Sequence, residues 1–174
     1  MTLHDLLAPR RSVVVGAWLA DVLAAWPSPA SAFVAAEPDG FRNPVGRVMR
    51  DALDDAFEAF VSPNPLLALP PACAEWVALC TVQPGDAGQA ADRVRSLAAI
   101  AGRVLQESSP SDQRDAACRA LDERARTLAG LASAEQARCR ERIAALRARE
   151  AGGRSWTAQR RARRSAPGPI DAVR

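Results

Sequence analysis

Residues 43–60 read NPVGRVMRDALDDAFEAF, and this stretch decides how the rest of the chain is read. Asn43 followed by Pro44 is a helix-start signal: an Asn side chain accepts a backbone N–H at the helix mouth, and proline in the first helical position has no donor to waste. Behind it Val45, Val48, Met49, Ala52, Leu53, Ala56, Phe57 and Phe60 recur at three- and four-residue intervals and so share one face, while Arg47, Arg50, Asp51, Asp54, Asp55 and Glu58 take the other. The spacing predicts an amphipathic helix covering a core.

The flanking blocks have the same period. Upstream, Val15, Trp18, Leu19, Val22, Leu23 and Trp26 predict a helix from about Pro9 to Trp26, with Leu3, Leu6 and Leu7 in a short preceding turn, and Ser28-Pro29 opens a short helix through Ala36. Downstream, Pro63, Pro65, Pro70 and Pro71 make a rigid connector. Cys73, Trp76, Val77 and Cys80 then line a helix ending near Gln83, which Pro84-Gly85 breaks. Asp86 to Gln89 has the spacing of a capping box. It opens a helix to about Glu107 with Val94, Leu97, Ile100, Ala101, Val104 and Leu105 inward. Ser109 to Asp112 begins the last helix, expected to reach about Glu150 and to end at Gly152-Gly153; residues 154–174 read as a largely disordered basic tail. No block alternates with period two, so the expected fold is all-α: a helical domain over residues 1–150 and an Arg-rich flexible tail over 151–174.

Composition agrees. The chain has 174 residues, and 38 of its hydrophobic residues are Ala, the strongest helix former. It has no Tyr and no Lys, so all 23 cations are Arg. No stretch approaches the roughly 20 apolar residues of a membrane span, and the N-terminus has no signal-peptide pattern, so a soluble cytoplasmic protein is expected. The formal charge of +3 hides an asymmetry: Met1 to Ala137 carries 12 Arg against 17 acids, and Arg138 to Arg174 carries 11 Arg against 3.

The order of landmarks resembles the RsbT co-antagonist RsbRD-type N-terminal domain family. Trp18 stands where that family's first long helix carries a Trp, Phe33 fits an aromatic of the short second helix, and Phe41-x-Asn43-Pro44-Val45-Gly46 matches its most characteristic stretch. Val82-Gln83, seven residues before Ala90, is similar to the family's VQ-x-F-S-P-S-x-A segment. Cys139-Arg140-Glu141 and Arg147 to Glu150 echo the final helix of free-standing members. The usual F-S-P-S is replaced by Gly85 to Gly88, which keeps a cap through Asp86 and loses the aromatic. The resemblance spans about residues 5 to 150. It implies a globin-like sensor or scaffold module that lacks haem and often dimerises, without the anti-sigma-antagonist domain of longer relatives.

The residues offer little chemistry beyond contacts. The single His, His4, lies on the first turn rather than in the second half where a globin's proximal ligand sits, and no cofactor or metal is expected. Cys73, Cys80, Cys118 and Cys139 have no metal-ligand spacing and read as small buried hydrophobes; Cys139, among Arg138, Arg140 and Arg142, is the candidate redox-sensitive thiol. The acids of residues 51–58 read as a solvated, ion-paired face, and no base near neutral pKa accompanies a nucleophile, so no enzyme is expected. Arg160, Arg161, Arg163 and Arg164 are the candidate partner-binding residues. Without a recognition motif or stacking array beside them, a protein with an acidic surface is favoured over nucleic acid, and a solvated tail without a dedicated function over both. The part of the last helix beyond Arg138 is expected to pair with a second copy. The expected function is a haem-free sensory or regulatory module; the alternatives are an accessory or assembly subunit of a redox complex, or a small-ligand carrier.

Overall fold

The computed structural model describes residues 2–26, 30–36, 42–82, 90–108 and 111–165, and among them every regular element is helical. The helices are α1 (Leu3–Leu7), α2 (Arg11–Ala24), α3 (Ala30–Ala36), α4 (Pro44–Val61), α5 (Pro71–Val82), α6 (Ala90–Ser108) and α7 (Ser111–Ser165), with a 3₁₀ turn at Ala8–Arg10. The all-α expectation holds. Among the described residues no helix is long and apolar enough to cross a membrane.

Asn43 starts α4 as its sequence requires. Its Oδ1 accepts from the Gly46 amide at 2.8 Å, and Pro44 is the first helical residue. The other half of the same side chain reaches outside the helix: Nδ2 donates to the Val34 carbonyl of α3 at 3.1 Å. Gly46 has to be glycine here, because a Cβ would stand 2.7 Å from Asn43 Cγ. The apolar stripe of α4 is buried from Met49 to Val61, with Val45 and Val48 half-covered.

Around α4 the packing follows the predicted faces. α4 lies against α5, and α2 lies against both α4 and α6. Trp18 of α2 and Trp76 of α5 meet edge to face, centroids 5.9 Å apart at 79°. The Trp18 indole N–H donates to the Arg93 carbonyl of α6 at 2.7 Å, and the Arg93 guanidinium lies 3.5 Å from Asp21, one turn along α2. The Trp76 indole N–H meets no acceptor among the described residues. Arg124 of α7 donates to Ala59 O at 3.1 Å and to Asn64 O at 3.0 Å, tying down the last turn of α4 and the proline connector.

Two boundaries differ from expectation. The first helix begins later than Pro9, because Thr2 and Asp5 cap a separate α1 reciprocally and Pro9 falls in the 3₁₀ turn. At the other end α7 does not stop at Gly152-Gly153 but continues to Ser165, so the tail expected to be flexible from residue 151 is helical that far. Each glycine costs a helix about 1 kcal/mol relative to Ala, but the following Arg, Ala and Gln residues are good helix formers. Ser28-Pro29, the Asp86–Gln89 box and residues 166–174 lie outside the described residues. The chain divides into two compact units, Met1–Ala137 and Arg138–Arg174, at the residue where the charge changes sign.

Two sets of substitutions test this core. Asp is normally as good an N-cap as Asn, but Asn43→Asp sets a carboxylate against the Val34 carbonyl. It is expected to cost at least ~2 kcal/mol at neutral pH in urea denaturation, and to recover as the pH falls and the protonated acid donates again. Trp18→Phe is expected to cost about 1 kcal/mol more than Trp76→Phe, since only Trp18 gives up an indole hydrogen bond.

Candidate functional site

The residues singled out by sequence do not converge on one place. Trp18 is fully buried in the core, and Asn43, Pro44, Val45 and Gly46 form the α3–α4 joint, so these landmarks build the fold. Phe41 and Gln83 lie outside the described residues, as does the side chain of Phe33. His4 is exposed in α1. Arg160, Arg161, Arg163 and Arg164 lie on the last described turns of α7.

Three of the four carboxylates of α4, Asp51, Asp54 and Glu58, are ion-paired on the surface, in part across helices. Arg47 pairs with Asp51 at 3.6 Å within α4, and Arg11 of α2 reaches Asp54 at 2.8 Å and Glu58 at 3.5 Å. Exposed pairs of this kind contribute well under ~1 kcal/mol each, and they account for a cluster that could be mistaken for a catalytic one.

All four thiols are free, but they are not equivalent. Cys73 donates to the Ala52 carbonyl of α4 at 3.2 Å, and Cys80 is fully buried. Burial pushes both thiols up to about 12, with Asp55 adding to the effect at Cys73 and Arg93 opposing it at Cys80. Cys139, the candidate redox thiol, is also buried, and Arg142 Nη2 donates to its Sγ at 3.3 Å. Cys118 is half-exposed, against the expectation that all four would be covered. A helical period places it on the stripe with Leu121 and Ala125. Only the packing of α7 on α6 shows that it sits at the edge of that stripe.

That edge borders a feature the sequence did not announce. A hollow of about 590 Å³ lies between α6 and α7, in the size range of ligand and peptide sites. Its floor is Ala98 and Gly102 from α6 with Leu121 and Ala125 from α7; the exposed Ala99 lies on its rim, which also carries Arg95, Arg103 and Arg126 against Asp122. Small residues at matching positions on two neighbouring helices are what open it. Gln136, buried in α7 with no acceptor for its Nε2 among the described residues, is a second polar position that its sequence context does not flag. Among the described residues no three His, Cys, Asp or Glu side chains gather as a metal site would require. Comparison with known protein families, curated proteins and solved structures returns no match for this chain.

The thiols make the alkaline limb of stability a direct readout. Cys73 and Cys80 have folded values raised from 9.0 to about 12. Their stabilising neutral state is fully present below pH 9 and is lost as the pH rises from 9 towards 12. The chain has no Lys or Tyr to titrate in that window. Unfolding free energy is expected to fall steadily above pH 9 in wild type and to flatten in the Cys73→Ala/Cys80→Ala variant. Under native conditions at pH 8, alkylation should modify Cys118 first and leave Cys73 and Cys80 unreacted until unfolding.

Proposed function

We infer that this chain is a haem-free, globin-like sensory or regulatory module of the cytoplasm, working through protein contacts and pairing with a second copy through its terminal helix. The observation that carries this reading is an apolar seam on an otherwise charged stretch of α7. Cys139, Ile143 and Leu146 follow at steps of four and three, and Leu146 is 58% exposed. A helix that repeats apolar residues at this spacing while leaving a Leu in water has a contact to make, and burying such a side chain contributes about 1.5–3 kcal/mol. The resemblance at Trp18 and Asn43 to Gly46 supports the globin-like and regulatory parts. The placement of the only His on an exposed first turn supports the haem-free part. The run from Arg160 to Arg164 then serves a partner with an acidic surface, nucleic acid being the less favoured occupant.

A second reading rests on the Arg142 contact to Cys139 Sγ, which sets a guanidinium against the candidate redox-sensitive thiol. In that reading the chain is an accessory subunit of a redox complex, docking through Cys139 and the basic end. Light scattering at tens of micromolar is expected to give twice the 18.5 kDa chain mass, and Leu146→Glu to return it to one chain with the helix content unchanged. A monomeric wild type removes the pairing. A Cys139 whose oxidation state changes partner capture moves the case to the redox reading.

A further inference from the structure

The hollow between α6 and α7 is a trough with a definite period. On α6 its residues are Arg95, Ala98, Ala99, Gly102, Arg103 and Gln106; on α7 they start at Cys118 and end at Arg126. Both sets advance by threes and fours, so each helix contributes one continuous stripe. From Arg95 to Gln106 the stripe is about 16 Å long, the length of three helical turns. At its middle the floor is as low as side chains allow: a Cβ added at Gly102 would come no nearer than 3.8 Å to Leu121.

The rim gives the trough a sign. Arg95 is paired with Asp92, and Arg126 Nε donates to the Asp122 backbone carbonyl at 3.3 Å. Arg103, and the terminal nitrogens of Arg126, have no carboxylate within ion-pair distance among the described residues. A second copy applied to this face by a two-fold axis would set one arginine-rimmed stripe against another. The chain's own acidic helix face, on α4, is already engaged by Arg11 and Arg47. A small molecule would lie in an open trough with exposed Arg103 and Arg126 on its banks, whereas ligand pockets enclose most of their occupant. A long, shallow, apolar-floored and positively edged trough is the shape and charge that an amphipathic helix fits, its small or apolar stripe down and its acids against the banks.

We propose that the α6–α7 trough is the docking groove for an acidic amphipathic helix of a partner protein, with Arg103 and Arg126 taking its carboxylates. This deepens the protein-contact reading and rests on it, but it concerns a face separate from Leu146 and the arginines of the terminal helix. Arg suits the task because its planar fork holds a carboxylate by two parallel bonds.

The experiment uses the full chain and two synthetic helical peptides with the same Leu/Ala stripe, one carrying Glu on its flanks and one carrying Lys. The Glu peptide is expected to bind saturably, to weaken at least tenfold between about 50 and 500 mM salt, and to slow alkylation of Cys118 several-fold. The Lys peptide is expected not to bind. In the Arg103→Glu/Arg126→Glu variant the preference should invert, an exchange that a merely destabilised protein does not show. Ala99→Trp should block the Glu peptide while leaving the helical circular dichroism and the chain's mass in solution unchanged.

Four results overturn the proposal. One is no saturable binding of the Glu peptide up to about 1 mM. Another is Glu-peptide binding that survives Ala99→Trp or is lost with Arg160→Ala/Arg161→Ala/Arg163→Ala/Arg164→Ala instead. The third is a change in oligomeric mass on Ala99→Trp, which makes the trough a contact between copies. The last is displacement of the Glu peptide by millimolar octanoate, which makes it a small-molecule site. None of these outcomes alters the Leu146→Glu test, so failure here and failure of the pairing are read separately.

Discussion

The amide of Asn43 closes two helices at once. A helix leaves its first N–H groups and its last carbonyls without internal partners, and a buried orphan of either kind costs about 1–3 kcal/mol. The Asn43 oxygen takes one of the free N–H groups of α4, and its nitrogen takes one of the last carbonyls of α3, all of this in a buried setting. Performing both tasks takes an acceptor and a donor on separate atoms, which an ionised Asp lacks and which the single oxygen of Ser or Thr does not offer. Gly46 follows from it, since the amide occupies the space where a Cβ would stand. With the start of α4 set by Asn43 and its last turn held by Arg124, the strongest amphipathic helix of the chain is anchored at both ends by side chains from outside it.

The rest of the core is built on that helix from large rings and small thiols. Trp18 links three helices by touching Trp76 in α5 and bonding to Arg93 in α6, and Cys73 bonds to the backbone of α4 itself. Cysteine here acts as a compact hydrophobe with one weak donor. Alanines also recur where α6 and α7 face each other. Where Ala98, Ala99, Gly102 and Ala125 coincide, they leave the trough. Packing economy and the candidate groove therefore have one origin in the sequence.

How far each element was legible depends on how local its cause is. The α4 cap could be read because Asn43, Pro44 and Gly46 sit within four residues. The solvated character of residues 51–58 could be read for the same reason. Arg11 as the partner of Asp54 and Glu58 could not, because the pairing crosses from α2 to α4. Cys118 and Cys139 both stand among arginines and both fall on an apolar period, yet one is half-exposed and the other buried. The stop expected at Gly152-Gly153 overweighted a local penalty of about 1 kcal/mol per glycine against the helix-forming residues beyond it.

By itself the sequence determined helical periodicity, the position of the α4 start, the burial of Trp18 and Trp76, and the change from an acidic body to a basic end at residue 138. These are written in intervals of three and four and in capping residues, which act over a single turn. The tertiary structure alone decided that Asn43 also serves α3, that the Trp18 indole is bonded while the Trp76 indole meets no acceptor among the described residues, and that α6 and α7 face each other across small side chains. Each of these depends on the register between helices far apart in the chain, which is set by the packing of whole faces rather than by any short stretch of residues.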